Sequence, residues 1–345
     1  MNTKKEPASK NKSNLVRTME DQIRLEDNST GKITITITKY PEPILNPFDE
    51  KFKGKYSSIR NPGGILYENE ILLLLTVRHT KDKKSRIHIA RSTDGLNFSL
   101  DEKPFIDLDQ DSQLGVEDCR VIKIKGEYYL TFTAFKGIEK GKNTTRIGLI
   151  KTKNFKDIIS RTILLDEWGN NKNCVIISNP NPKEFYVIHR PFFGKEKAKA
   201  YIEITKDFKK FHYLGIFLEP KTGWESARVG INSPVVDGFM LYHGADEKTN
   251  KYCMGAIMVD KQDQRNILWR SNTPLIKPEL WWETTGGKEG KGAEVPNVVF
   301  GCNLISFKGK LITYYAGADR YTGRADIEIK IEKNNQHQKT HKPLL

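Results

Sequence analysis

Two adjacent carboxylates, Glu117 and Asp118, stand in the short segment Gly115-Val116-Glu117-Asp118-Cys119-Arg120. An aspartic acid that is shielded from water can donate a proton to a reacting group, which is the role of a general acid in catalysis. Asp118 is therefore the principal candidate for a catalytic acid. The alternative is that Asp118 and a neighbouring arginine form a structural ion pair.

Further residues that suit sugars and anions are spread along the chain. Amides and carboxylates hold hydroxyl groups in bidentate fashion, whereas Arg, Lys and His suit the charge of phosphate. Aromatic faces can stack on a sugar ring. The polar candidates are Asn61, Arg78, Arg146, Lys172, Arg190, His243 and Asp319, and the aromatic candidates are Tyr128, Trp168, Trp224 and Phe300.

The elements that position these residues are repeated hairpins. An apolar strand, a turn rich in Gly, Asn or Asp, and a strand ending in aromatic or charged residues recur five times. The copies begin near Gly64, Arg120, Cys174, Pro234 and Cys302. The starts are roughly 55 to 70 residues apart, which is the size of a four-stranded propeller blade with its loops.

A second strand of alternating apolar and polar residues follows each hairpin, for example at 86–90, 146–150 and 200–204. No window of 15 residues shows a sustained helical period. We therefore predict an all-β fold, a five-bladed β-propeller with the active site on the central axis. The alternating segment 33–38 is a spare strand that should complete the last blade and close the ring.

This pattern sets the predicted domain boundaries. Residues 31–333 should form one catalytic propeller, with a disordered basic tail over 1–30 and a disordered tail over 334–345. In a propeller the innermost strands line the axis, so equivalent positions of the five repeats should converge at one mouth of the channel. The polar candidates flank those strands, and we expect them to share one pocket.

Charge and composition limit the classes of binding partner that the protein is expected to have. The formal charge of +14 is dispersed over loops and both ends of the chain, so we expect no nucleic-acid partner, whereas a basic field would favour phosphate. No apolar run reaches the ~20 residues needed to span a bilayer, so we expect no membrane partner and a cytoplasmic location. The four cysteines are not closely paired, and we expect no metal and no disulfide.

Seven segments together resemble glycoside hydrolase family 130, which contains β-mannoside phosphorylases and some β-mannosidases. The resemblance runs from about Pro41 to about Ile331, and its most specific parts are Glu-Asp-x-Arg and Tyr-His-Gly. The segments are Asn61-Pro62-Gly63-Gly64, Val77-Arg78, Ser92 to Phe98, Gly115 to Arg120, His189-Arg190-Pro191, Tyr242-His243-Gly244 and Tyr314 to Asp319.

The resemblance implies an inverting, single-displacement reaction on a β-linked mannosyl unit, with Asp118 as a general acid that acts through a sugar hydroxyl. It implies that Asn61, Arg78 and Asp319 grip the mannosyl ring, and Glu117 and Arg190 are also assigned to substrate binding. Inorganic phosphate is then a co-substrate and no cofactor is needed. Its ligands would be Arg146, Lys172 and an imidazolium at His243, with Arg190 as a further candidate.

Several alternatives remain open from the sequence. A β-mannosidase would need a carboxylate base, for which Glu117, Glu225 and Glu294 are candidates, and would require the two carboxyl groups ~6.5–9.5 Å apart. A furanosidase would use Asp118, Asp319 and Glu294 as three axial acids. A non-catalytic carbohydrate-binding propeller would use none of them. The sequence does not decide between β-1,2 and β-1,4 linkages or whether the chain forms homo-oligomers.

Two residues depart from the family pattern. Cys119 stands where a proline is usual after the Glu-Asp pair, which is expected to change how rigidly Asp118 is aimed. Asn232 stands where a small glycine is usual, so a narrower or differently polar pocket is expected.

Overall fold

The computed structural model describes residues 13–27, 29–139, 142–286 and 292–333. Strands dominate these residues, and the only α-helix among them is one turn, α1 (Trp281–Thr284). The first two strands are β1 (Leu15–Arg24) and β2 (Thr30–Lys39). The remaining strands follow in five groups.

The first group is β3 (Tyr56–Tyr67), β4 (Glu70–His79), β5 (Ser85–Ser92) and β6 (Ser99–Leu100), and the second is β7 (Gly115–Ile124), β8 (Glu127–Glu139), β9 (Lys142–Thr152) and β10 (Ile158–Leu164). The third is β11 (Asn171–Ser178), β12 (Phe185–Pro191), β13 (Ala200–Thr205) and β14 (Phe211–Leu218). The fourth is β15 (Arg228–Ile231), β16 (Phe239–Ala245), β17 (Tyr252–Val259) and β18 (Ile267–Arg270). The fifth is β19 (Val299–Phe300), β20 (Ile305–Phe307), β21 (Lys310–Gly317) and β22 (Tyr321–Lys333).

Within each group, neighbouring strands pair antiparallel, and the third and fourth groups are separate four-stranded sheets. The first two groups form one eight-stranded sheet, but a single parallel pair, Ser85 with Gly115, joins them. Hairpin turns of the predicted kind, with Gly or Asn, lie at Glu68-Asn69, Lys125-Gly126 and Lys308-Gly309. The predicted all-β class is therefore confirmed.

Five clusters of buried apolar side chains join the groups in a circuit. One cluster packs the first group against the second, one the second against the third, one the third against the fourth and one the fourth against the fifth. A fifth cluster joins the last group back to the first, with Ile305 and Tyr314 packed against residues of β4 such as Leu73. Because apolar burial dominates folding energy, these interfaces hold the groups in fixed order.

Strand β2 completes the fifth group, as the alternating segment 33–38 predicted. It pairs antiparallel with β22 from Gly31 to Lys39, and Ile33, Ile35 and Ile37 are buried on one face. The predicted disordered tail over 1–30 is wrong for Leu15–Arg24, because β1 pairs along its whole length with β2. Residues 1–12 and 334–345 of the two predicted tails lie outside the described part of the chain.

Among the residues that the structure describes, no helix is long and apolar enough to cross a membrane.

Candidate active site

Residues from all five strand groups line a cavity of about 240 Å³. Its lining contains three kinds of side chain: carboxylates and amides, cations and imidazole, and a smaller apolar part. The lining residues are Arg60, Asn61, Glu117, Asp118, Lys172, Asn173, Arg190, His243, Asn250, Tyr252, Val295, Val298, Phe300 and Asp319. Seven of the nine site residues predicted from the sequence are therefore brought together.

Irregularities in three strands aim side chains at this cavity. The pairing register shifts in β3 between Arg60 and Gly63, in β7 between Glu117 and Arg120, and in β11 between Lys172 and Val175. At each shift one residue has a left-handed backbone: Asn61 (φ 48°), Asp118 (φ 59°) and Asn173 (φ 57°). Asn and Asp adopt this conformation more readily than most residues, and β-bulges redirect side chains near active sites.

Asp118 is held from several directions. The Nδ2 of Asn61 donates to its Oδ1 at 2.7 Å, and its backbone N–H donates to Oγ1 of Thr76 at 3.0 Å. The Nη1 of Arg120 donates to its backbone oxygen at 2.7 Å. The side chain is buried. These contacts fix Asp118 although Cys119 stands where the family usually has proline.

Cys119 itself is part of the packing beneath the acid. Its side chain is buried, and burial raises the pKa of its thiol well above the usual value. A side chain at Gly63 would collide with the backbone oxygen of Cys119, so β3 approaches β7 closely because residue 63 is glycine. The thiol is thus a small buried apolar group, with no access to the cavity lining.

Arg60 joins the carboxylates on one side of the cavity. Its Nη2 lies 3.0 Å from Oε1 of Glu117, and its Nη1 lies 3.2 Å from Oδ1 of Asp319. Ser85 also donates to Glu117, at 2.9 Å. Loss of hydration raises the pKa of Asp319, and nearby Glu117, Asp118 and Glu294 add to this, whereas Arg60 opposes it. Arg60 therefore offsets the repulsion between Glu117 and Asp319 and holds the two carboxylates close to each other.

Lys172 and Arg190 form a second group of charged lining residues, which we call the cation side of the cavity. The Nζ of Lys172 lies 5.4 Å from the ring centre of Phe135 and 5.8 Å from that of Phe192, and Arg190 lies 5.0 Å from the centre of Phe192. Burial lowers the pKa of Lys172 and lowers that of Arg190 to about 10. At a pKa of about 10 the guanidinium remains charged at neutral pH.

His243 is neutral, which corrects the expectation of an imidazolium. Burial, followed by the charges of Arg190, Arg120, Arg228 and Lys172, lowers its pKa well below the usual value. Its Nε2 lies 2.7 Å from Nη1 of Arg190. The imidazole therefore contributes a hydrogen-bonding group to the cation side, not a charge.

Two predicted site residues do not line the cavity. Arg78 forms an ion pair with Glu294, and its Nε donates to the backbone oxygen of Lys83 at 3.0 Å. Arg146 forms an ion pair with Asp166. Both arginines are thus paired with carboxylates that are not among the lining residues, and their predicted contacts with sugar and phosphate stay predictions.

The alternative acids and aromatics are also distributed unequally. Glu225 is buried against Arg270, 2.6 Å away, and is not among the lining residues, so it is poorly placed as a base. Of the aromatic candidates, Phe300 lines the cavity, while Tyr128 is buried in the apolar core. The rings of Trp168 and Trp224 pack against other aromatic side chains outside it, at Tyr201 and Tyr242.

The sequence did not point to Arg60 or Tyr252 as site residues. Asn173 follows the predicted Lys172 and lies, like Asn61 and Asp118, at a bulge within its strand. No motif signals Arg60, since its two carboxylate partners come from distant parts of the chain. Within the described ranges, no three His, Cys, Asp or Glu side chains gather as metal ligands would.

A cavity lined by a buried acid and by cations suits an enzyme that transfers a sugar ring to an anionic acceptor. Residues 32–333 match the sequence profile of glycoside hydrolase family 130, described as β-1,4-mannooligosaccharide phosphorylase. The chain belongs to this family.

Known members of the family are similar over most of the chain. The 1,2-β-oligomannan phosphorylase of Thermoanaerobacter sp. (strain X514) is 33% identical over 302 residues, which cover 84% of this chain and 96% of that protein. A β-1,2-mannobiose phosphorylase of the same strain is 32% identical over 83% of this chain and 95% of its own length. The structure of β-1,2-mannobiose phosphorylase from Listeria innocua with β-1,2-mannobiose superposes with a TM-score of 0.66 and 26% identity, covering 84% and 96% of the two chains.

Buried histidines make the stability of the fold depend on pH. His88, His189 and His243 are fully buried, and burial lowers the pKa of each, that of His88 to about 4. Below pH ~6.5 the histidines of the unfolded chain bind protons that those of the native protein do not. The free energy of unfolding therefore decreases as the pH is lowered. We expect the free energy of unfolding, measured with urea, to be lower at pH 5.5 than at pH 7.5. The expected difference is about 1.4 kcal/mol for each histidine that stays neutral in the native protein.

The variant His88→Asn provides the comparison for this prediction. It should show a shallower fall between the same two pH values, because one of the neutral histidines is gone. A free energy of unfolding that is constant between pH 7.5 and 5.5 in both proteins would contradict the prediction.

Proposed function

We propose that the protein is an inverting β-mannoside phosphorylase that converts a β-mannoside and inorganic phosphate into α-mannose 1-phosphate and a shortened acceptor. The observation that carries this proposal is the composition of one cavity. Asp118 lines it together with Lys172 and Arg190, and the two other carboxylates of the lining, Glu117 and Asp319, are both paired with Arg60. Cations at this position suit a phosphate nucleophile and not a hydrolytic base.

In the proposed reaction, phosphate attacks the anomeric carbon from the face opposite the leaving group. The bond from that carbon to the glycosidic oxygen breaks as the bond to a phosphate oxygen forms, which inverts the configuration from β to α. Asp118 supplies the proton that the leaving oxygen acquires, through a hydroxyl of the sugar, and becomes a carboxylate. The hydrogen bond from Asn61 at 2.7 Å stabilises that carboxylate.

The other residues divide between the two reactants. Asn61, Glu117 and Asp319 would hold the mannosyl ring through its hydroxyl groups, and Arg60 would fix the orientation of Glu117 and Asp319. Lys172, Arg190 and neutral His243 would hold phosphate. Arg78 and Arg146 would join the site when substrate or phosphate competes with Glu294 and Asp166 for them.

We also propose that the five strand groups are the blades of a five-bladed β-propeller with this cavity on its axis. The closed circuit of five apolar interfaces supports this arrangement. So does a second cavity of about 230 Å³, lined by residues of β3, β7 and β20 together with residues 234–236. Both cavities are lined by residues in or near the first strands of several groups. A propeller would have two such cavities, one at each end of its central channel.

The proposed substrates are β-1,2-linked manno-oligosaccharides. The family description refers to β-1,4 linkages, whereas the relatives at 33% and 32% identity are named for β-1,2 linkages. We give the relatives more weight because two aligned proteins and the superposed structure all carry the β-1,2 linkage in their names. The cytoplasmic location, the absence of nucleic-acid and membrane partners and the oligomeric state stay predictions.

Incubation with a panel of mannobioses, with and without phosphate, tests the proposal. We expect β-1,2-mannobiose to be consumed only when phosphate is present, with α-mannose 1-phosphate and mannose as products identified by NMR. Product release that is equal in phosphate-free buffer would instead support a β-mannosidase. Consumption of β-1,4-mannobiose alone would overturn the linkage and leave the reaction type intact.

A further inference from the structure

Asn232, His243 and Arg190 form a line of hydrogen bonds that leads into the cavity. The Nδ1 of His243 lies 2.5 Å from Oδ1 of Asn232, and its Nε2 lies 2.7 Å from Nη1 of Arg190. All three side chains are buried. Only His243 and Arg190 line the cavity, so Asn232 reaches it through the imidazole.

The direction of each hydrogen bond follows from chemistry. A guanidinium group has donors only, so Nε2 of His243 must accept from Arg190 and cannot carry a proton. A neutral imidazole with a bare Nε2 carries its proton on Nδ1, which then donates to Oδ1 of Asn232. The charges of Arg190, Arg120 and Lys172 disfavour a second proton on the ring. Asn232 therefore accepts a hydrogen bond from the Nδ1–H tautomer of His243, which is the tautomer that the contact with Arg190 requires.

This arrangement fixes the orientation of Arg190. Its Nη1 is occupied by His243, and its guanidinium lies over the ring of Phe192, which sets the plane of the group. Its Nε is buried and has no partner among the described residues. Nε and Nη2 share one edge of the guanidinium, and two parallel donors on one edge match two oxygens of a phosphate.

We propose that Asn232 is a positioning residue for phosphate: it holds His243 in the Nδ1–H tautomer and thereby keeps Arg190 turned with its Nε–Nη2 edge toward the anion. This inference rests on the proposed phosphorylase function. The family resemblance described above implies glycine at this position, and glycine offers no acceptor to Nδ1. The hydrogen-bonded line is therefore a feature of this chain that the common family pattern does not supply.

The variant Asn232→Gly tests the role of the amide. We expect its KM for phosphate to rise about tenfold, which corresponds to the loss of one hydrogen bond in a charged, buried network. The KM for β-1,2-mannobiose and kcat at saturating phosphate should change less than about twofold, because Asn232 does not face the mannosyl side. The conservative variant Asn232→Ser keeps a hydroxyl acceptor and should keep KM for phosphate within about threefold of the original.

Nitrogen-15 NMR of His243 provides a readout that does not depend on turnover. The unaltered protein should show the Nδ1–H tautomer, and Asn232→Gly should show a mixture of tautomers. A proton on Nε2 in the unaltered protein overturns the inference, even if Asn232→Gly fails to fold. So does an unchanged KM for phosphate in a folded Asn232→Gly variant, or an equal rise of both KM values. Activity without phosphate would overturn the proposed function and leave the tautomer result to decide this inference.

Discussion

Replacing Asp118 with Asn is expected to reduce phosphorolysis of β-1,2-mannobiose by about a thousandfold, the middle of the range for loss of a general acid. The amide has nearly the shape of the acid but cannot release a proton at neutral pH. Because Asn also tolerates the left-handed backbone at this position (φ 59°), the variant should fold. Initial rates, with binding of mannobiose by calorimetry, measure the effect, and binding should change less than about threefold.

Asp237→Asn is a matched control for this variant. Asp237 has the same left-handed backbone (φ 52°) but lies in a hairpin turn outside the active-site cavity. Its replacement should leave the rate unchanged. If Asp118→Asn retains full activity, Asp118 is not the acid. If the unaltered protein and Asp118→Asn both lack activity and bind mannobiose equally, the protein is a carbohydrate-binding propeller.

Replacing Lys172 with Met is expected to reduce kcat/KM for phosphate by about a hundredfold. Methionine keeps the apolar contact with Phe135 and Phe192 but removes the positive charge that would face the phosphate. A charge-assisted hydrogen bond in a buried site accounts for a loss of this size. Phosphate dependence at saturating mannobiose gives the value, and the KM for mannobiose should change much less.

Lys123→Met controls for the loss of a lysine that lies over an aromatic ring. Lys123 is exposed, lies 5.4 Å from the ring centre of Tyr128 and does not line the active-site cavity. Its replacement should leave kcat/KM for phosphate unchanged. An equal loss in both variants would point to net charge as the cause, and no loss in Lys172→Met would remove Lys172 from the phosphate site.

The hairpins of this protein could be read from its sequence because turn residues act locally. Lys125-Gly126 and Lys308-Gly309 reverse the chain through their own backbone preferences, whatever surrounds them. The alternating segment 33–38 likewise indicated a strand with one buried face. Strand β1 was missed because its residues are mostly polar and exposed, and it is ordered by pairing with β2.

The convergence of the site could be predicted, but its detailed geometry could not. Residues that flank corresponding strands of the repeats, such as Asn61, Asp118 and Lys172, line one cavity, as expected. The bulges that aim them lie inside strands, and a register shift depends on pairing with a neighbouring strand, which the sequence does not display. The pattern placed these residues just before the strands.

Protonation and ion pairing also lie beyond the sequence. The charge of His243 is set by burial and by four cations that come from separate strands. Arg78 and Arg146 are engaged by carboxylates that no motif connects to them. Family resemblance indicated which residues are polar in the site. It could not indicate that Asn232 would contact His243, because glycine is usual there.

The pairing of β2 with β22 has a consequence for how the chain is made. Ile33 faces Ile331, so about 300 residues separate the two halves of this closure. At ribosomal speeds of ~5–20 residues per second, β2 emerges roughly 15–60 seconds before its partner exists. During that interval an Ile-Thr strand with a bare edge is exposed to other nascent chains, and such edges template aggregation. The last strand that the structure describes is thus the one that covers the open edge of β2, and we expect production in a cell to depend on shielding β2 until then.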